Sequence, residues 1–232
     1  MMTKHILVTG GASGIGFGIA KQLASSGHKV LVTDLEQDKA ESAATALKNM
    51  GYEAQGFALN VSKQTDIDKL EQLFRDDTID VLVNNAGIQH VSSLEAFPVE
   101  KWHMLVEVML TGAAMMTRAV LPNMKQNNYG RIINIGSIHG LVASKYKSAY
   151  VAAKHGLIGF SKVMALETAE HDITINTICP AYVKTPLVEQ QIADQAENHG
   201  ISEQEVIDNI MLAPMPKKAF VTVEEIADSV SY

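Results

Sequence analysis

Cysteine occurs once in the 232 residues, at Cys179, so no internal disulfide can form and a reducing compartment is the expected setting. Positive charge is also in short supply. The 19 Lys and Arg face 26 Asp and Glu, for a formal net charge of -7, which gives no electrostatic reason to bind nucleic acid or an anionic membrane. Proline occurs six times, and no Pro/Gly/Ser-rich stretch divides the chain, so one domain over 1–232 is expected. No leader-like segment precedes the first strand-like run, and no continuous apolar run is long enough to span a bilayer. The expected location is therefore the cytoplasm. No repeat is present, and no metal site is expected.

What is present is an alternation of short β-branched runs with longer amphipathic stretches. Strands are predicted at 5–9, 29–33, 53–58, 79–83, 131–135 and 174–178. Helices are predicted at 14–26, 37–50, 64–76, 100–127, 148–170 and from 223 onward. Continuous apolar strands between helices imply a parallel sheet covered on both faces, an α/β doubly wound (Rossmann-like) arrangement. Two polar helical stretches in 187–213, interrupted near Asn198-His199-Gly200, read as an insertion that closes over a pocket as a lid.

Chemistry clusters at the predicted carboxyl ends of the strands. After the first comes Thr9-Gly10-Gly11-Ala12-Ser13-Gly14-Ile15-Gly16, a turn that lets backbone approach a diphosphate at a helix N-terminus. Asp34 ends the second strand, where a carboxylate accepts from both ribose hydroxyls and repels a 2′-phosphate; NAD is expected rather than NADP. Asn84-Asn85-Ala86-Gly87 ends the fourth, and its amides suit either adenosine contact or bracing of the central strands.

Tyr150 and Lys154 stand four residues apart on a predicted helix and share a face. Bringing a phenol from about 10 to about 8 takes about 2.7 kcal/mol. One ammonium at ~4 Å and an effective dielectric of ~20 supplies about 4 kcal/mol. The pair is a candidate proton-transfer device. Alone it is weak, because the same spacing marks any exposed helix face.

Together, Thr9-Gly10-x-x-x-Gly14-x-Gly16, Asn84-Asn85-Ala86-Gly87, Ser137 and Tyr150-x-x-x-Lys154 resemble the short-chain dehydrogenase/reductase family over essentially the whole chain. The resemblance implies that Tyr150 exchanges a proton with a substrate hydroxyl. Ser137 bonds that oxygen, and Lys154 lowers the tyrosine pKa and holds the nicotinamide ribose. It also implies cofactor contacts at Gly10, Ser13, Gly14, Ile15, Gly16, Asp34, Asn60, Val61, Asn85, Ala86, Gly87, Pro180 and Val183.

Within the family, the stretches 88–92, 137–144, 147–156 and 182–188 resemble the D-3-hydroxybutyrate dehydrogenases. That narrower likeness implies a hydroxy acid or keto acid substrate whose carboxylate is gripped by Gln89, His139, Lys147 and Gln191. Lys147, Tyr150 and Lys154 fall at i, i+3 and i+7, so one helix face serves both anion and proton. Against this stand the readings of Lys147 as a surface lysine, His139 as a loop histidine and Gln190 in place of Gln191. A homotetramer is implied by analogy.

Three positions depart from the family pattern. Met109 stands where the family carries an asparagine that perturbs the helix and helps hold a water, so an impaired proton relay is expected; Met109 equally reads as core filler. Ala181 replaces a glycine, and Asn60 replaces an aspartate facing adenine. The last helical pattern has no following strand, so a truncated end and a missing last strand are expected. Two alternatives stay open: an NADPH-dependent ketoacyl thioester reductase, and a catalytically impaired NAD-binding or assembly protein.

Overall fold

The computed structural model describes residues 2–73 and 78–232. Six strands form one parallel sheet: β1 His5–Val8, β2 Lys29–Asp34, β3 Ala54–Ala58, β4 Val81–Asn84, β5 Gly130–Ile135 and β6 Ile173–Ile178. Their order is β3-β2-β1-β4-β5-β6. The order reverses between β1 and β4, and the crevice there is where an open α/β sheet receives a ligand.

Strand periodicity explains the two helical layers. Ile6, Val8, Val30, Val32, Val81 and Val83 point to one face and pack with α1 (Gly14–Ser25) and α9 (Val223–Ser231). Leu7, Leu31 and Leu82 alternate to the other face, against α3 (Gln64–Leu73) and α5 (Gly112–Gln126). α2 (Gln37–Asn49) covers β2 and β3 beside α1. The expected end of the 64–76 helix, beyond Leu73, lies outside the described residues.

The expected helix at 100–127 is three pieces: α4 (Val99–Val106), a π-helical turn Glu107–Thr111 and α5. The periodicity runs through the π turn, so the break is silent in the pattern. By length and composition alone, a stretch within Val99–Gln126 is apolar enough to cross a membrane, a test that the core helix of a soluble protein also passes. His103, Glu107 and Arg118 hide this from a search for continuous apolar runs. Here the segment packs on β4, β5 and α6 (Ser148–Glu167).

The insertion comprises α7 (Pro186–His199), ended by left-handed Gly200 (φ 64°), α8 (Glu203–Glu205) and a π turn Val206–Met211. Val188, Ile192, Val206 and Met211 form its own small core. Its exit returns to its entry, where Val221 N–H donates to Tyr182 O at 2.9 Å and Val221 bridges Val183. Both ends of the insertion are thus tied beside β6.

Candidate active site

The glycine turn is shaped for close approach. Gly10 and Gly14 have φ of 59° and 52°, and a Cβ at Gly16 would fall 2.3 Å from Gly10 O. Ser13 precedes α1 without a side-chain cap, which leaves the helix N-terminus free for an anion, and Ile15 lies in its first turn. Both amide donors of Asn85 go to this turn, to Thr9 O at 3.0 Å and Gly10 O at 2.9 Å. Asn85 therefore braces the loop, and its side-chain donors are spent on that task. Asp34 lies beside the same turn, accepting from Ala12 N–H at 3.3 Å and Leu35 N–H at 2.9 Å. The carboxylate retains lone pairs for further donors.

Asn60 uses its carbonyl locally, accepting from Ser62 N–H and Oγ at 3.0 and 2.7 Å, which leaves its NH2 as the group free of that turn. Val61 is buried under it. Ala86 N–H donates to Thr9 Oγ1, while Gly87 is exposed above Met109. Pro180 O accepts from Ile138 N–H at 2.7 Å, which joins the loop after β6 to the turn after β5. Ala181 has no positive φ, so replacing glycine brings no left-handed strain. These residues fit a dinucleotide laid across the switch point.

Ser137 follows β5 and accepts from His139 N–H at 3.1 Å. Its hydroxyl also acts on the Tyr150 phenol, favouring the ionised form. Lys154, 4% exposed, donates to Ile135 O at 2.6 Å, with Nζ 5.7 Å from the Tyr150 ring centre. The expected acidification of Tyr150 is not what the cofactor-free geometry gives. Burial raises its pKa, and the Ser137 hydroxyl opposes this without cancelling it. Lys154 turns its hydrogen bond to a backbone carbonyl, and burial pulls its own pKa down to about 8.

Beyond Tyr150 lies a second polar cluster. Lys147, only 2% exposed, donates to Gln191 Oε1 at 3.2 Å and to Tyr182 Oη at 3.3 Å. His139 Nε2 lies 3.3 Å from the same hydroxyl. Burial lowers Lys147 to about 8, and burial with the Lys147 charge lowers His139 to about 4. Near neutrality the cluster is one ammonium beside a neutral imidazole. Among the described residues, His139 Nδ1 and Gln89 Nε2 are buried without a partner, and Gln89 Oε1 accepts from His90 N–H. Gln190 turns outward to Asp194, which makes Gln191 the inward glutamine.

Sequence reasoning missed two tyrosines here. Tyr182 puts its hydroxyl between Lys147 and His139. Tyr146 takes a left-handed conformation (φ 64°) directly before Lys147, and its ring meets His199 of α7 edge-on at 5.7 Å. Backbone strain of this kind is held by surrounding structure and clusters at functional sites. A non-glycine left-handed residue has no sequence signal.

Comparison with known proteins agrees with this architecture. The family model for short chain dehydrogenase matches residues 4–196. A D-beta-hydroxybutyrate dehydrogenase of Cupriavidus necator is 45% identical over 225 residues, covering 96% of this chain and 87% of that one. Another from Rhizobium meliloti is 44% identical, covering 100% and 91%. A crystal structure of a variant actinorhodin polyketide ketoreductase with NADPH superposes with a TM-score of 0.94 at 34% identity, covering 99% and 89%. With its sheet order, glycine turn and Ser137–Tyr150–Lys154 cluster, the chain belongs to the short-chain dehydrogenase/reductase family of oxidoreductases.

Proposed function

We propose that the protein is an NAD-dependent dehydrogenase interconverting (R)-3-hydroxybutyrate and acetoacetate. One observation carries the substrate reading: a buried ammonium, Lys147, whose partners Gln191 and Tyr182 are neutral. An ammonium in that setting is costly unless an anion joins it. The unpartnered donor of Gln89 and the His139 ring supply further polar contacts for a carboxylate. A four-carbon acid has little apolar surface, so its carboxylate must supply most of its affinity.

The nicotinamide, when bound, exchanges hydride with the substrate carbon. Tyr150 exchanges the proton with the substrate oxygen, and Ser137 hydrogen-bonds that oxygen. The neutral phenol favoured by burial is the form that donates to acetoacetate. Lys154 stands ready to turn from Ile135 O to the cofactor ribose. Asp34 beside the glycine turn supports NAD, because its charge opposes a 2′-phosphate. The insertion around α7 acts as the lid, since Gln191 reaches Lys147 only with α7 seated. A cytoplasmic homotetramer accompanies this reading by family analogy alone.

The likeness to a ketoreductase with NADPH motivates a second reading, a ketoacyl thioester reductase. A thioester has no carboxylate for Lys147, which disfavours it. Steady-state assays with NAD and NADP across 3-hydroxybutyrate, a neutral secondary alcohol and a ketoacyl thioester separate the two. Turnover of 3-hydroxybutyrate with NAD is expected, with a loss of about 10²-fold or more in Tyr150→Phe. Equal turnover of the neutral alcohol rejects the carboxylate grip.

A further inference from the structure

Asn84 ends β4 with its side chain 5% exposed. Its amide nitrogen donates to Ala113 O at 3.3 Å, Thr117 Oγ1 at 3.3 Å and Asn134 Oδ1 at 2.9 Å. The Ala113 carbonyl can only accept, which fixes which way the amide faces. Asn84 Oδ1 is thereby turned out of the network, and among the described residues it is buried without a partner. A buried carbonyl left in this state costs free energy unless a donor reaches it.

A donor is close. Asn84, Lys154, Met109, Ala113 and Thr9 line one small cavity of about 10 Å3. That is the lower limit for a single water. Lys154 carries three N–H donors, and among the described residues its amine donates to Ile135 O alone. The Thr9 hydroxyl is taken by Val83 O and by the N–H groups of Asn85 and Ala86. Met109, 1% exposed, offers only a thioether, so the wall it forms does not compete for a water.

We propose that Asn84 is a positioning residue for Lys154, acting through one ordered water that accepts from the Lys154 ammonium and donates to Asn84 Oδ1. The proposal rests on the oxidoreductase reading for its consequence and on the cavity for its geometry. The water satisfies two buried polar groups at once and hydrates an ammonium that burial otherwise pushes towards the neutral amine. The titratable groups acting on Lys154 are Tyr150, one turn earlier on α6, and Cys179 beyond β6.

The test begins with a crystal structure of the NAD complex at a resolution that shows ordered water. A water within hydrogen-bonding distance of both Asn84 Oδ1 and Lys154 Nζ is expected; an empty cavity overturns the proposal. Ala113→Val fills the cavity from the side and leaves both polar residues in place. Loss of the water favours the neutral amine, so the alkaline limb of kcat/KM is expected to move down by about one pH unit. An unmoved limb with the cavity shown to be filled overturns the proposal. In folded Asn84→Leu the same shift is expected, and combining it with Ala113→Val adds nothing further. Absence of dehydrogenase activity in the natural chain rejects the functional reading, while the crystallographic water still answers for the geometry.

Discussion

A lysine that is 2% exposed and, among the described residues, has only neutral partners strains the fold it sits in. Holding Lys147 near 8 against an ordinary value of 10.5 corresponds to about 3 kcal/mol. Replacing such a group with an apolar side chain of similar length is often stabilising. Lys147→Met is therefore expected to raise the melting temperature of the unliganded protein by roughly 2–6 °C. The same variant is expected to lose the stabilisation that acetoacetate gives the natural chain. A fall in melting temperature, or retained stabilisation by acetoacetate, counts against Lys147 as the anion's partner. At this scale the pairing of Tyr150 with Lys154 on one face of α6 was legible from helical spacing, whereas Lys147, His139 and Gln191 were singled out through the family likeness. Tyr182 and Tyr146 were not, because a hydroxyl shared by two distant side chains and a left-handed tyrosine are set by the packing of three separate segments.

Elements show the same division. All six strands keep most of their predicted span, since alternation of side chains into two cores is written locally; β4 begins two residues late, at Val81. The π turn was not legible. It persists with Met109 in it, and Gly112 at its end packs so close that a Cβ would meet Val61 O at 2.9 Å. The docking of α9 on α1 also had no local signal. It depends on Gly18, where a Cβ would lie 2.1 Å from Val223 Cγ1. Gly18→Leu is expected to lift α9 and cost about 1–3 kcal/mol by overpacking. Hydrogen exchange checks this: amides of Val223–Ser231 should lose protection ahead of the sheet. Unchanged protection there shows that α9 is held by other contacts.

For the whole molecule, three buried groups give stability a definite pH dependence. His139 is lowered from 6.5 to about 4, so between these values the unfolded chain binds the extra proton and stability falls on acidification. Lys147 and Lys154 are lowered from 10.5 to about 8, so stability rises as pH climbs from about 8 towards 10.5. Denaturant titrations of the unliganded protein across pH 4–10 are expected to show both rises. Saturating acetoacetate should flatten the Lys147 share of the upper one, because a bound carboxylate restores the ammonium's preference for its proton. A stability that declines steadily above pH 8 contradicts the burial of these lysines.

What the sequence determined by itself is the doubly wound sheet, the glycine turn at its switch point and the shared helix face of Tyr150 and Lys154; Lys147 stands just outside that helix, at its N-cap. Each follows from periodicity and spacing that a short stretch of chain carries alone. The tertiary structure decided the protonation preferences: Tyr150 is raised rather than lowered, and two lysines are drawn towards neutrality. Those preferences come from desolvation, and how much water a group loses depends on every segment folded over it.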